Sequence, residues 1–302
     1  KIKYKTKQFN SFNILSFNIN SLGKHISNLN RLQHVHLVFL QETKANIALV
    51  KSINNGSRWK IINYNKQSSK SGSIGWLIHP SLSYIHHAQD NIRRIIRIDK
   101  KTNIWYGISY SLIVIDMKNE MYIIGCNVYV QPHTTLTIEI LKELYHKIMI
   151  KKRKYTNSTI VIGGDFNENL VTGRNATKCG KMWMDFIFNK LDANAASLFT
   201  NVTKDTHIYR HYKGDTPHRK GNIIDFLWVS NQIRNKTVKP IKTSPVDYHL
   251  GLYAEIPMKH KYVTNIVKLH RNPDRRISTQ DYNRRNKEYH NAVIKILQLN
   301  DL

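Results

Sequence analysis

The chain is built mainly from short apolar runs, rich in isoleucine and valine and separated by polar turns. Runs of this length and composition predict strands. They fall at 13–18, 36–43, 60–64, 74–78, 92–98, 105–115, 121–130, 160–162, 223–229 and 250–256. A Ser/Lys/Gly turn at 68–73 separates two of them. The runs from 92 to 130 read as successive antiparallel strands, with 116–120 as the polar turn between the last two. Helical spacing replaces this pattern in three places. Residues 24–32 form the first. Residues 134–151 form the second, with Ile140, Leu141, Leu144, Tyr145 and Ile148 on one face. Residues 178–191 form the third, with Trp183, Phe186 and Ile187 facing inward. The basic run Lys151 to Lys154 suits a solvated helix C-terminus.

Residues 200–222 are polar, basic and poor in aliphatics, which predicts a long surface loop or hairpin. Beyond Pro257 the apolar period fades. Residues 259–276 are basic, and 278–299 predict a helix capped by Ser278-x-x-Asp281, with Tyr282, Tyr289, Val293 and Ile296 on one stripe. No internal repeat or low-complexity linker is visible.

One stretch carries chemistry: Ile160-Val161-Ile162-Gly163-Gly164-Asp165-Phe166-Asn167. The glycines end a buried strand and allow a sharp turn. In an extended exit, Asp165 and Asn167 point one way and Phe166 points back to the core. A carboxylate beside an amide suits a hydrated Mg²⁺, or a phosphate with its attacking water. The same pair is also ordinary turn chemistry. The other predicted strands add context. Asn18, Glu42 and Asp225 stand at or beside strand ends, and Asp247 and His249 fall in Ser244-Pro245-Val246-Asp247-Tyr248-His249.

Charge narrows the partner. Among 302 residues, 47 Lys and Arg face 20 Asp and Glu, a net +27, with 15 His besides. Such a field favours a polyanion, above all nucleic acid. Compositional drift could supply lysines but does not explain so few acids. Cys126 and Cys179 make neither metal spacing nor a disulfide framework, which predicts a reducing compartment. No apolar run approaches the ~20 residues of a membrane span, so no membrane partner is expected. No signal peptide is visible. The chain opens at Lys1 rather than methionine, as expected of a piece of a longer product.

Five motifs, in order, resemble the endonuclease/exonuclease/phosphatase superfamily of apurinic endonucleases, pancreatic-type deoxyribonuclease and retrotransposon endonucleases. They are Leu15-Ser16-Phe17-Asn18-Ile19-Asn20, Leu40-Gln41-Glu42-Thr43, Asn127-Val128-Tyr129, Gly163-Gly164-Asp165-Phe166-Asn167 and Ile224-Asp225-Phe226-Leu227. Within the superfamily, Gln41-Glu42-Thr43-Lys44, Ile74-Gly75-Trp76-Leu77-Ile78-His79-Pro80 and the basic loop before Asp225 look most like the non-LTR (LINE-type) retrotransposon branch. The resemblance implies a DNase I-like, four-layered α-β-β-α sandwich with two mixed, largely antiparallel sheets. It divides the chain into a basic arm (1–11), the endonuclease/exonuclease/phosphatase domain (12–257) and a basic linker and helix (258–302) leading toward a reverse transcriptase.

The resemblance also implies roles. Glu42 and Asn18 hold Mg²⁺ (or Mn²⁺), with Asp247 as a further candidate ligand. Asp165 orients and deprotonates water, and Asn167 holds water or phosphate. His249 binds the phosphate, Asp225 fixes His249, and Tyr129 donates to a phosphate oxygen. The implied partner is DNA and the implied compartment the nucleus. Asn20 is a candidate DNA contact, as are Tyr209, Arg210, His211, Lys213, Arg219 and Lys220 in the basic loop. One motif departs from the family. Where Asp normally precedes the histidine, this chain has Tyr248. In an extended strand Asp247 shares a face with His249 and Tyr248 does not. Besides a DNA-nicking enzyme, Tyr248 makes a catalytically impaired DNA-binding relic an expected alternative, and the shared fold makes a phosphatase another.

Overall fold

The computed structural model describes residues 5–31, 34–57, 59–63, 73–101, 105–117, 121–134, 137–168, 178–191, 212–213, 216–217, 224–230, 237–241, 249 and 251–266. The predicted helix at 278–299 lies outside them. In chain order the elements begin with β1 (Lys5–Asn18), α1 (Leu22–Arg31), β2 (Leu37–Gln41), α2 (Ile47–Gly56), β3 (Lys60–Asn63), β4 (Ile74–Ile78), β5 (Ser83–Ile85) and β6 (Asn91–Ile98). They continue with β7 (Trp105–Asp116), β8 (Tyr122–Val130), α3 (Ile138–Lys154), β9 (Ser158–Asp165) and α4 (Lys178–Asp185), which runs into a π-turn at Phe186–Lys190. The last are β10 (Tyr212–Lys213), β11 (Thr216–Pro217), β12 (Asp225–Val229), β13 (Thr237–Ile241) and β14 (Gly251–Ile266).

Two mixed sheets form the centre. One has the order β13-β14-β1-β2-β4-β3; the other runs β12-β9-β8-β7-β5, with β6 also on β7. β1–β2 and β8–β9 pair in parallel, whereas β12–β9, β13–β14, β2–β4, β3–β4, β5–β7, β6–β7 and β7–β8 pair antiparallel. The alternation read along each strand now has two destinations. On β2, Leu37 and Phe39 enter the core shared by the sheets, whereas Val38 and Leu40 enter a second core with Leu22 and Leu29 of α1 and Ile53 of α2. On the far side, Ile140, Leu141, Leu144 and Ile148 of α3 and Trp183 of α4 cover the second sheet. The result is the four-layered α/β sandwich expected. β10 and β11 pair as a short antiparallel ribbon, so the predicted basic loop contains a hairpin.

Several bounds differ from the apolar pattern. β1 begins at Lys5 and β14 continues to Ile266, beyond the apolar runs. Main-chain pairing extends a strand without needing apolar side chains, so period alone does not mark its end. α3 starts at Ile138 rather than Thr134, because the Thr134 hydroxyl is tied to Gly107 N (2.9 Å) and O (3.2 Å). The short α2 has little buried surface, only Ile53, but a sound cap: Leu49 N–H donates to Asn46 Oδ1 at 2.8 Å.

The two glycines of β9 are packing requirements. A Cβ on Gly163 would lie 2.2 Å from the Phe39 ring of the facing sheet. A Cβ on Gly164 would lie 1.9 Å from the main-chain oxygen of Val128, its register partner on β8. A side chain can move aside more cheaply than a ladder carbonyl. Gly164→Ala is therefore expected to cost about 3 kcal/mol or more, and more than Gly163→Ala. Equal urea midpoints for the two variants would contradict this.

Candidate active site at the sheet ends

The inter-sheet faces of β1, β2, β8 and β9 end together. Asn18 closes β1 two residues after Ser16, on the face that buries Phe12 and Ile14. Asp165 closes β9 on the face of Gly163. Its register partners are Tyr129 on β8 and Asp225 on β12. Asn18, Tyr129, Asp165, Asp225 and His249 are all buried, and Glu42 is half-buried.

Asn18 joins the two sheets. Its Nδ2 donates to Asp165 Oδ2 (2.8 Å) and to Glu42 Oε1 (3.1 Å), and its Oδ1 accepts from Asn20 N–H (3.2 Å). Tyr129 OH donates to the same Glu42 Oε1 at 3.2 Å. Lys44 Nζ lies 3.3 Å from Glu42 Oε2 and also donates to Asn20 Oδ1. Asp165 Oδ1 accepts from Asn167 N–H at 2.9 Å. On the far side, His249 Nδ1 and Asp225 Oδ2 are 2.7 Å apart. Ligand atoms of Asp165, Asp225 and His249 lie within 4.8 Å of one another.

Asn167 differs from the extended exit expected of the sequence. Its φ is +48°, and its Nδ2 donates to Val130 O at 2.7 Å. The turn closes on itself, and Asp165 alone continues the strand face. Asn20 (φ 43°), Glu42 (φ 49°) and Lys44 (φ 45°) are also left-handed. Such non-glycine residues each store about 1–3 kcal/mol of strain, which concentrates at functional sites.

Burial sets the electrostatics. It pushes the Asp165 carboxyl up to about 8, assisted by Asp225 and opposed by His249 and the Asn18 amide. Burial also raises Asp225, against the pull of His249. For His249 burial acts downward, but Asp225, then Asp165 and Glu42, lift it to about 9, so its Nδ1–H donates to Asp225. Tyr129 is held well above its usual range by burial, then by Glu42 and Asp165, and stays a donor.

These residues fit a hard divalent cation. Glu42 supplies carboxylate oxygens, and among the described residues the buried Asp225 Oδ1 has no hydrogen-bond partner; Asn18 faces Glu42 and Asp165 with Nδ2, so its Oδ1 would join a cation with the amide turned over. Of the residues singled out in the sequence, the structure brings together Asn18, Glu42, Tyr129, Asp165, Asn167, Asp225 and His249. Asn20 sits exposed at the rim. Asp247, Tyr248, Tyr209, Arg210, His211, Arg219 and Lys220 lie outside the described residues, and Lys213 is described only as backbone in β10. Sequence pattern assigned no role to Lys44 or to Gln41, Asn127 and Ser73. Ser73 Oγ accepts from Thr43 Oγ1 (2.9 Å) and Lys44 N–H (2.8 Å), fixing the loop that carries Glu42. Lys44, Gln41 and Asn127 stood inside the quoted motifs; Ser73 carried no signal.

No protein-family model and no curated protein matches the sequence. Solved structures do match. The endonuclease domain of TRAS1, a telomere-specific non-LTR retrotransposon, superposes with a TM-score of 0.57 at 12% identity, over 82% of this chain and 100% of that one. The endonuclease/exonuclease/phosphatase from Bacteroides vulgatus gives 0.52 at 10% identity, over 83% of this chain and 100% of that one. Truncated TDP2 from Caenorhabditis elegans gives 0.51 at 12% identity, over 82% and 98%. The chain has the endonuclease/exonuclease/phosphatase fold. The fold's two-sheet core accounts for the convergence of Asn18, Glu42, Asp165 and Asp225 from strands far apart in sequence.

The raised groups make metal-free stability fall with pH. His249 contributes fully below its unfolded value near 6.5 and loses that contribution as pH rises through about 9. Asp165 is favoured when protonated, so its folded form weakens from about pH 4 up to about 8. In both windows the folded state holds the extra proton, and each proton gives a slope of at most about 1.4 kcal/mol per pH unit. Melting temperatures in EDTA should fall from pH 6.5 to 9, and Asp165→Asn should flatten the fall. A rising or unchanged wild-type profile would show that these groups are not so placed.

Proposed function

We propose that this protein is a divalent-metal-dependent endonuclease that nicks DNA by hydrolysing a phosphodiester bond, in the service of retrotransposon insertion. The observation that carries the reading is the buried constellation Asn18–Glu42–Asp165 beside Asp225–His249. The resemblance to the retrotransposon endonuclease TRAS1 and the net charge of +27 support a nucleic-acid substrate.

A Mg²⁺ or Mn²⁺ held by Glu42 and Asn18 Oδ1 would stabilise charge on the phosphate. Asp165, its carboxyl raised by burial, is placed to take a proton from water in its ionised form, which a cation in the pocket would favour. That proton passes to the carboxylate as the water oxygen bonds to phosphorus and the bond to the leaving alkoxide breaks. His249, lifted to about 9, is positively charged and offers an N–H to the developing negative phosphate. Asp225 accepts from its Nδ1 and fixes the ring. Tyr129 OH gives its one proton to Glu42 Oε1 and would turn it to a phosphate oxygen once substrate is bound, and Asn167 steadies Asp165 through its main-chain N–H. A DNA substrate fits a nuclear location.

Supercoiled plasmid should be relaxed to the nicked circle in Mg²⁺ or Mn²⁺ and left intact in EDTA. Asp165→Ala and His249→Ala should each lower the rate by about 10²–10⁴-fold. A second reading rests on Tyr248, which stands where the family has Asp: tight DNA binding without nicking, restored by Tyr248→Asp, would identify an impaired copy. Hydrolysis of soluble phosphomonoesters with no action on DNA would instead point to a phosphatase.

DNA affinity tests the basic loop separately. Replacing Arg210 and Lys213 by Ala should weaken binding and lower the slope of log affinity against log salt by roughly 1 for each phosphate no longer neutralised. An unchanged slope would remove both from the interface.

A further inference from the structure

Below the site, a polar cluster crosses the layer between the sheets. Asn127 of β8 is fully buried, as is Gln41 of β2. Asn127 Nδ2 donates to the main-chain oxygens of Leu40 on β2 (3.0 Å) and Gly75 on β4 (2.8 Å). Its Oδ1 accepts from Gln41 Nε2 at 2.7 Å. One carboxamide thus ties a strand of the second sheet to two strands of the first. Beside it stands the buried Ser111, register partner of Asn127, which accepts from Trp76 Nε1 at 2.9 Å; apolar contacts fill the rest, with the Phe39 and Trp76 rings 4.6 Å apart and Ile74 packed on Tyr129.

Polar groups in such a layer are not needed for stability. Two apolar side chains of similar shape would pack as well without desolvating an amide pair, and among the described residues Gln41 Oε1 has no partner. What hydrogen bonds add is direction. Apolar faces tolerate sliding; a carboxamide bonded to named carbonyls sets one registry of the two sheets. The position of the cluster shows what that registry serves. Glu42 follows Gln41 directly. Tyr129 lies two residues beyond Asn127, on the same strand face. Tyr129 and Glu42 are the pair whose bond, at 3.2 Å, spans the sheets at the site.

We propose that Asn127 and Gln41 are positioning residues that hold the Glu42 carboxylate against Tyr129 and Asn18, and so set the affinity of the site for its divalent cation. The inference rests on the metal reading of the site above. It predicts an effect on cation affinity rather than on turnover once the cation is bound. Loss of a hydrogen-bonding partner behind a ligand typically costs 10–100-fold in metal affinity.

The test compares wild type, Asn127→Leu and the double variant Gln41→Leu/Asn127→Leu. Three quantities are measured: melting temperature, amide hydrogen exchange of the metal-free protein, and Mn²⁺ binding by calorimetry. Asn127→Leu strands Gln41 and should melt lower; the double variant should recover most of that loss. Exchange at Thr43 and Lys44 should quicken in both, by roughly tenfold or more, with α3 unaffected. Mn²⁺ affinity should fall by about tenfold or more in both. Nicking at saturating Mn²⁺ should stay within about threefold of wild type. Should Asn127→Leu fail to fold, Gln41→Met removes only the Gln41–Asn127 bond and carries the same expectations.

Unchanged exchange at Thr43 and Lys44 would overturn the proposal. So would a double variant whose Mn²⁺ affinity returns along with its melting temperature, since the cluster would then matter only for packing. A wild-type protein that binds no Mn²⁺ would instead refute the metal reading, and the exchange comparison would still decide whether the pair positions Glu42.

Discussion

Two carboxyl groups on facing positions of neighbouring strands, both shielded from water, cannot both ionise without compensation. Asp165 and Asp225 are such a pair, and much of the site answers that constraint. His249 supplies positive charge to Asp225 at 2.7 Å. Asn18 and the Asn167 main chain supply donors to Asp165. The compensation is partial, since Asp165 stays raised and one oxygen of Asp225 has no partner among the described residues. An incompletely neutralised acidic pocket suits a cation and a water awaiting deprotonation, and it suits a stable core less well.

The sandwich makes the pocket possible. Neither sheet holds a complete site: one contributes Asn18 and Glu42, the other Tyr129, Asp165 and Asp225. The site therefore depends on how the sheets are registered against each other. Polar links do this where greasy packing would not. Asn18 meets Asp165 and Tyr129 meets Glu42 at the rim, Asn127 meets Gln41 and the Leu40 and Gly75 carbonyls beneath them, and Trp76 Nε1 donates to Ser111 Oγ at 2.9 Å beside Asn127. The left-handed residues Asn20, Glu42, Lys44 and Asn167 lie in the loops these links support, where the packed sheets can hold their strain.

Much of this was legible in the residue pattern. Strands that bury both faces read as unbroken apolar runs, so 36–43, 74–78 and 121–130 were plain, and so were the helices with an apolar stripe. α2, β5 and β13 were not legible: each is short, and α2 depends on its Asn46 cap more than on a buried face. The ends of β1 and β14 lay beyond the apolar pattern, because that pattern marks where apolar residues stop and not where the extended backbone does. At the site, charged and amide residues at strand ends were conspicuous against so few acids. The polar residues buried mid-strand, such as Asn127, did not stand out, because a strand pattern does not say whether an amide finds partners.

The sequence by itself determined which elements form, and which polar side chains end the strands, because both follow from local chemistry and the two-residue period of a strand. Only the tertiary structure decided what those side chains meet. Asn18 and Asp165 are 147 residues apart in the chain and 2.8 Å apart in space. That distance, the burial that lifts Asp165 and His249, and the bond from Asn167 Nδ2 to Val130 are properties of two sheets packed face to face. No local pattern encodes them, since desolvation and registry exist only once the layers have come together.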